Sequence, residues 1–208
     1  MTDVPLADEY GIRYEKQLKP VASALEAYLH EIVRGQPRID RVVARAKDPS
    51  RFLAKAAKIE NDVPKYSDPL TEIQDQIAAR IVTLYLSDVE RIQLLIAEYF
   101  GSIEHKRMEP ESSREFGYEG EHYILLLPDE AFPRPLKRSD GPTLFELQIK
   151  TVFQHAWSEA GHDLIYKSVI PLTRDHLRRA AFTAAQAWGA DLIFDELSAQ
   201  LLSRGTSH

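Results

Sequence analysis

Four basic residues in the first third of the chain have a spacing that suits phosphate binding. Arg45 and Lys47 lie two positions apart and share one side of the chain wherever it is extended. Arg51 and Lys55 lie four positions apart, on one face of a helix that Asp48 is expected to cap. Cations beside the free N–H groups of a helix N-terminus form a phosphate-binding site. A solvated helix face is the alternative interpretation of such a charge run.

Two carboxylates are candidates for holding the metal ion that phosphate chemistry needs. Asp75 stands at the start of a predicted strand, and Glu146 lies in the middle of LFELQIKT, residues 144–151. Apolar and polar residues alternate in that strand, so Glu146 shares one face with other polar side chains. Mg²⁺ is typically bound by one or two carboxylates plus substrate phosphates. The alternative is that Asp75 caps a turn and that Glu146 faces water.

A tyrosine between two glycines could bind a nucleobase. Tyr118 follows Gly117 and precedes Gly120 by two positions, which would free its ring from the sheet. Aromatic rings stack on bases in many nucleotide sites. A tyrosine that packs on its neighbours in the turn is the alternative.

The helix predicted after residue 151 presents a row of polar side chains. His155, Glu159 and His162 are spaced at i, i+4 and i+7, which could suit a transition metal. The pattern is not that of a zinc protease. We therefore interpret it as a structural polar face packed against the sheet.

Composition limits the classes of function. The chain has 208 residues, of which 44% are hydrophobic, and it has no cysteine, which excludes disulfides and thiolate sites. No run of about 18 apolar residues and no signal peptide is found, so we expect a cytoplasmic protein without a membrane segment. Residues 34–58 carry eight basic and two acidic side chains, so this segment has a net charge of +6. The net charge of the whole chain is −6, so the rest of the chain has a net charge of −12. A local cationic stripe on an acidic protein favours a small polyanion over a long one.

The order of elements predicts an α+β fold with a small mixed, mostly antiparallel sheet flanked by helices. We expect one domain, residues 1–208, with an N-terminal helical region (1–35), a catalytic core (36–167) and a C-terminal helical region (172–203). The predicted strands are 79–86, 122–128 and 144–151, and residues 128–142 are predicted to form a loop. The predicted helices are 6–34, a helix that begins after Asp48, 87–100 with a capping box from Ser87 to Glu90, 152–167 and 172–203.

Taken in order, four segments resemble the synthetase domain of the RelA/SpoT family, the (p)ppGpp synthetases. The resemblance covers about residues 40–197 and is strongest in its last block. The segments are ARAKDPSRFLAK, DQIAARIV, FGYEGEHYIL and FELQIKTVFQHAWSEAGHDLIYK. The resemblance implies a small stand-alone synthetase with a nucleotidyltransferase-like fold and no alarmone hydrolase activity.

The resemblance also implies a reaction and residue roles. The β,γ-pyrophosphate of ATP would pass to the ribose 3′-hydroxyl of GDP or GTP. Asp75 and Glu146 would bind Mg²⁺, and Glu146 would help to deprotonate the acceptor hydroxyl. The basic segment (Arg45, Lys47, Arg51 and Lys55) and Arg80 would bind ATP, with Arg45 and Arg80 on either side of the adenine. Tyr118 would stack on the guanine, and the acceptor side would be lined by His122, Gln148, Lys150 and His155.

Departures from the family pattern concern mainly the acceptor. Lys150 stands where the family has arginine, Gly120 stands where it has serine, and the loop 108–116 is acidic where a basic loop is usual. Two alternatives follow: a toxin-type enzyme acting on the tRNA 3′ end or on adenine nucleotides, and an inactive homologue that senses nucleotides. Relatives form homo-oligomers, and we expect the same here.

Overall fold

The computed structural model describes residues 5–110, 112, 115–117 and 120–202, and shows helices packed around a mixed sheet. No helix in this described part of the chain is long and apolar enough to cross a lipid bilayer. The helices are α1 (Leu6–Arg13), α2 (Lys19–Ile32), α3 (Pro49–Ala56), α4 (Pro69–Glu72), α5 (Leu86–Tyr99), α6 (Val152–Gly161) and α7 (Arg174–Leu202). The strands are β1 (Ile39–Ala46), β2 (Ile59–Glu60), β3 (Val63–Pro64), β4 (Ile77–Thr83), β5 (Ser102–Met108), β6 (Gly120–Leu126) and β7 (Leu144–Thr151).

The main sheet has five strands in the order β1–β4–β7–β6–β5, and β2 and β3 form a separate hairpin. Strands β4 and β7 run parallel, whereas the other three pairings are antiparallel. The prediction of an α+β fold with a mixed, mostly antiparallel sheet is therefore confirmed.

The two faces of the sheet differ in polarity because of the alternation in β7. Phe145, Leu147 and Ile149 are fully buried and belong to the hydrophobic core that the sheet shares with α2. On α2, Leu25 and Leu29 are one turn apart and are likewise fully buried. This face is held by apolar burial, so the polar residues of the same strands must point to the opposite face.

The strand register aligns the polar residues of neighbouring strands in rows. Arg45 of β1 pairs with Ala78 of β4, which in turn pairs with Glu146 of β7. In the next row, Arg80 of β4 pairs with Gln148 of β7. Basic residues from β1 and β4 therefore lie beside the polar residues of β7 on one surface.

The N-terminal helical region predicted for residues 6–34 is confirmed, with one irregularity. Helices α1 and α2 are joined by a π turn, Tyr14–Leu18, directly before Pro20. Proline lacks an N–H group and its ring crowds the carbonyl four residues earlier, so the turn before it widens.

The predicted capping box from Ser87 to Glu90 is wrong. Helix α5 begins one residue earlier, and the side chain of Asp88 accepts a hydrogen bond from the N–H group of Tyr85 at 3.3 Å. Ser87 instead donates to Asp195 of α7, from its N–H group at 2.9 Å and from its hydroxyl at 2.7 Å. Ser87 thus joins the start of α5 to the C-terminal helix α7, a contact that local spacing could not reveal.

Candidate active site

Two pockets open on the polar face of the sheet, and Asp75 and Glu146 line both of them. The first, called the basic pocket, has a volume of about 350 Å³; its polar lining includes Arg45, Lys47, Asp48, Arg51, Arg80 and Gln148. The other, called the second pocket, has a volume of about 470 Å³; its lining includes Lys55, Tyr66, Glu104, Lys106, His122 and Tyr123. Because two carboxylates stand where the pockets meet, groups bound in both could react beside them.

The basic pocket is built at the junction of β1 and α3. Arg45 projects from β1, Lys47 follows the last residue of the strand, and Arg51 lies in the first turn of α3. The predicted cap of α3 is confirmed, since Asp48 Oδ1 accepts a hydrogen bond from the N–H group of Ser50 at 2.9 Å. Three cations and a helix N-terminus thus line one cavity, which is the composition of a phosphate site.

Asp75 lies in a single 3₁₀ turn before β4 and contacts two lysines. Lys47 Nζ lies 2.8 Å from Asp75 Oδ2, and Lys55 Nζ lies 3.0 Å from Asp75 Oδ1. All three side chains are largely buried. One carboxylate therefore contacts two lysines from different parts of the strand–helix junction: Lys47 directly after β1 and Lys55 near the end of α3.

Glu146 is held by its neighbours on the sheet. Its Oε1 lies 2.8 Å from Nδ1 of His122 on β6 and accepts a hydrogen bond from Nε2 of Gln148 at 2.9 Å. Burial alone would raise the pKa of Glu146, but these hydrogen bonds and the charges of His122 and Lys47 outweigh it and lower the pKa to about 2. Glu146 is therefore an anion at any physiological pH.

Arg80 is oriented by the helix that follows β7. Its Nη1 lies 2.8 Å from Oε1 of Glu159 and 3.1 Å from Nδ1 of His155, both on α6. The interpretation of these helix residues as a polar face packed against the sheet is thus confirmed for His155 and Glu159. Within the described residues, no group of three or more histidine, aspartate or glutamate side chains is placed to hold a metal ion.

Lys150 is buried beside this cluster, with 3% of its surface exposed. Burial and, to a smaller extent, the nearby charge of Arg80 lower the pKa of Lys150 to about 7 against the opposing effect of Glu159. Its ammonium group lies 3.4 Å from Oγ of Ser158. Lys150 and His155 line neither pocket, although both were predicted to lie on the acceptor side.

The remaining predicted site residues divide between the pockets. His122 lines the second pocket, as expected for the acceptor side, but Gln148 lines the basic pocket. Lys55, predicted to bind ATP, stands at the boundary through its contact with Asp75. Tyr118 lies outside the described residues.

A sequence model described as "Region found in RelA / SpoT proteins" matches residues 44–170, which is more than half of the chain. The chain belongs to the RelA/SpoT family. The matched region contains the last three residues of β1 and all of the other strands, and it contains both carboxylates.

Similar proteins are found among curated sequences and solved structures. GTP pyrophosphokinase YjbM of Bacillus subtilis (strain 168) is 26% identical over 168 residues, covering 74% of each chain. The crystal structure of small alarmone synthetase 1 from Bacillus subtilis bound to its product pppGpp has a TM-score of 0.71 at 20% identity, covering 93% of this chain and 97% of that one. A GTP pyrophosphokinase family protein from Streptococcus pneumoniae has a TM-score of 0.73 at 19% identity, covering 97% of each chain. These structural likenesses show that the fold is that of the RelA/SpoT-family synthetases.

The carboxylates fit the needs of Mg²⁺. Asp75 and Glu146 line the same two pockets, so both carboxylates border the space in which substrate phosphates would lie. Mg²⁺ needs one or two carboxylates and takes its remaining ligands from substrate phosphates and water. A dedicated cage of several acidic residues is not required for such a site.

Two buried polar atoms in the basic pocket have no hydrogen-bond partner among the described residues. They are Nε of Arg80 and Oε1 of Gln148, one donor and one acceptor. Polar groups buried without a partner are costly, so their presence in a pocket lining is typical of a ligand site.

Sequence reasoning missed several residues around the site. Tyr66, Glu104 and Lys106 line the second pocket, and Tyr10 donates a hydrogen bond to the backbone of Lys47. Glu104 and Lys106 alternate on β5, a pattern that an apolar-periodicity search does not detect because this edge strand is almost wholly exposed.

Proposed function

We propose that this protein transfers the β,γ-pyrophosphate of ATP to the ribose 3′-hydroxyl of GDP or GTP, which produces (p)ppGpp. The observation that carries the proposal is the position of Asp75 and Glu146 at the boundary between a basic pocket and a second pocket. The name of the curated relative, a GTP pyrophosphokinase, and the pppGpp bound to small alarmone synthetase 1 support the same reaction.

ATP would occupy the basic pocket. Lys47 and Lys55 already surround the carboxylate of Asp75, so they are placed to contact phosphates as well. Arg45 and Arg80 are diagonal neighbours on β1 and β4, where side chains lie about 7–8 Å apart. That separation suits a flat ring stacked between two guanidinium planes, which agrees with the proposed adenine site.

Mg²⁺, held by Asp75 and Glu146, would neutralise the phosphate charge when ATP is bound. The acceptor in the second pocket would place its 3′-oxygen against the β-phosphorus. A new O3′–Pβ bond forms, the bond from Pβ to the oxygen of AMP breaks, and AMP leaves. The protein's contribution is mainly positioning and charge neutralisation.

The low pKa of Glu146 limits its role as a base. A carboxylate with a pKa of about 2 withdraws a proton weakly. In a loose transition state, however, the hydroxyl keeps its proton until bond formation is well advanced. Glu146 would therefore orient the hydroxyl early and receive its proton late, with His122 hydrogen-bonded on its other side.

Other acceptors find less support. A tRNA acceptor would need a broad basic surface, whereas the second pocket contains Glu72 and Glu104 in addition to the two shared carboxylates. The curated relative is named a GTP pyrophosphokinase, and the product bound to small alarmone synthetase 1 is pppGpp, a guanine nucleotide. We therefore place GDP and GTP first.

Self-association is also part of the proposal. Helix α7 leaves several large apolar side chains exposed, among them Phe182 at 65% and Leu201 at 68%. Exposed apolar surface of this kind is typical of interaction sites. We expect a homo-oligomer, which light scattering after gel filtration would test.

The reaction can be tested with labelled ATP and Mg²⁺ in the presence of GDP, GTP, ATP or tRNA as acceptor. We expect a labelled pentaphosphate or tetraphosphate guanine nucleotide and release of AMP. Glu146→Gln should lower kcat by at least about 100-fold, because it removes a metal ligand, whereas Glu60→Gln, an exposed change on the β2–β3 hairpin, should not. The proposal would be overturned if the wild-type protein formed labelled product only with tRNA. It would also be overturned if the wild-type protein formed no labelled product with any acceptor.

A further inference from the structure

Tyr10 lies in the N-terminal helix, outside the region that defines the family, yet it contacts the strand–helix junction of the basic pocket. It is fully buried, and its hydroxyl donates a hydrogen bond to the backbone carbonyl of Lys47 at 2.8 Å. The two residues are 37 positions apart in the chain. This is therefore a tertiary contact between the N-terminal helices and the basic segment.

The contact occurs where the sheet stops supporting the chain. The pairing of β1 with β4 ends at Ala46, and the N–H group of Lys47 makes one more bond, to the carbonyl of Gln76 at 2.8 Å. Beyond this point the carbonyl of Lys47 accepts the hydrogen bond from Tyr10. The backbone of Lys47 is thus held from both sides, which limits where its ammonium group can go.

The ring of Tyr10 holds the helix that carries the other cations. It stacks face to face on Phe52, with ring centroids 3.6 Å apart and planes at 6°. Phe52 is fully buried on α3, directly after Arg51 and three residues before Lys55. One side chain therefore contacts both parts of the basic segment: the backbone of Lys47 and the buried face of α3.

We propose that Tyr10 is a positioning residue for the ATP phosphates. Its hydroxyl holds Lys47 while its ring holds α3, so that Lys47 and Arg51 in the basic pocket keep a common geometry with Lys55 at the boundary. This inference rests on the proposed binding of ATP in that pocket. It assigns the N-terminal helix α1 a part in nucleotide binding although α1 lines neither pocket.

Tyr10→Phe separates positioning from simple core packing. The substitution keeps the ring and its stacking on Phe52 but removes the hydrogen bond to Lys47. The matched control is Tyr28→Phe on α2, where the ring packs edge-on against Phe100 and lines neither pocket. Dissociation constants for a non-hydrolysable ATP analogue and for GDP would be measured separately by calorimetry, with melting temperature and circular dichroism as folding checks.

We expect Tyr10→Phe to weaken binding of the ATP analogue by about 3- to 10-fold and to leave GDP binding within about twofold. The KM for ATP should rise by the same factor, while kcat at saturating ATP changes by less than about twofold. Tyr28→Phe should change none of these values.

Unchanged binding of the ATP analogue by Tyr10→Phe, or equal losses for the analogue and GDP, would overturn the positioning role and leave Tyr10 a core residue. Failure of the proposed function would look different, because the wild-type protein itself would not bind the ATP analogue.

Discussion

Glu146 and His122 are joined across neighbouring strands by a contact of 2.8 Å between Oε1 and Nδ1. The pair links the carboxylate shared by both pockets to a residue that lines the second pocket alone. Burial acts to raise the pKa of Glu146, and this contact is one of the interactions that lower it.

His122→Ala should therefore make activity sensitive to acid. Without the histidine, Glu146 loses one hydrogen bond and one nearby positive charge, so its pKa rises from about 2, although Gln148 and Lys47 still lower it. The acid limb of the profile of log kcat/KM against pH should then lie at a higher pH in the variant than in the wild-type protein. His105→Ala is a matched control, because His105 pairs with a different glutamate, Glu121, at 2.7 Å. A flat acid side in the His122 variant would contradict the argument.

The lysines around Asp75 should affect ATP whatever the acceptor. Lys47→Ala or Lys55→Ala removes a charge-assisted phosphate contact worth roughly 1.5–3 kcal/mol. We expect kcat/KM for ATP to fall by about 10- to 150-fold with GDP and with GTP alike. Steady-state kinetics measures this, and Lys58→Ala, an exposed lysine beyond α3, is the control. Unchanged ATP kinetics in both variants would remove the phosphate-binding role.

Tyr118 provides the complementary test of the acceptor side. By analogy with stacking of bases on aromatic rings, Tyr118→Ala should cost roughly 1–3 kcal/mol and lower kcat/KM for the acceptor by about 5- to 150-fold. ATP kinetics should be spared, and Tyr118→Phe should be nearly silent because stacking uses the ring. Intact acceptor kinetics in Tyr118→Ala would mean that the guanine is held elsewhere.

Lys150 should make stability depend on pH. In the unfolded chain its pKa is about 10.5, whereas in the folded protein burial lowers the pKa to about 7. Between these values the unfolded state binds more protons, so stability rises with pH. Relative to Lys150→Met, the wild-type protein should gain on the order of 2 kcal/mol in the free energy of unfolding between pH 7 and pH 9.

Urea denaturation at each pH measures this difference, with Lys58→Met as the exposed control. A difference between wild-type and Lys150→Met that stays constant from pH 7 to pH 9 would show that Lys150 does not titrate in this range.

Local patterns were sufficient to predict several elements. The alternation in β7 correctly separates Phe145, Leu147 and Ile149 from the face that carries Glu146, and the Asp48 cap before α3 forms as expected. Both signals depend on residues two or three positions apart. At such short spacings, backbone geometry alone determines which face of a strand a side chain lies on and whether a side chain can cap a helix.

Strands β1 and β5 were missed for a physical reason. In β1 the arginines dominate the pattern, because one face of the strand lines the basic pocket. In β5 nearly every residue is exposed, so apolar and polar residues do not alternate. Strand pairing supplies the backbone hydrogen bonds in both cases, and pairing partners are distant in sequence.

The sequence by itself determined which residue types are present and which short segments become strands and helices, and its motifs were enough to show the family resemblance. The tertiary structure decided that Lys47 and Lys55 meet Asp75, that Arg80 meets Glu159 79 residues away, and that Tyr10 meets Lys47. Each of these contacts joins separate elements, so its geometry depends on how the apolar faces of those elements pack. Burial of those faces is non-directional, and only the complete packed arrangement sets the distances between the charged groups that it brings together.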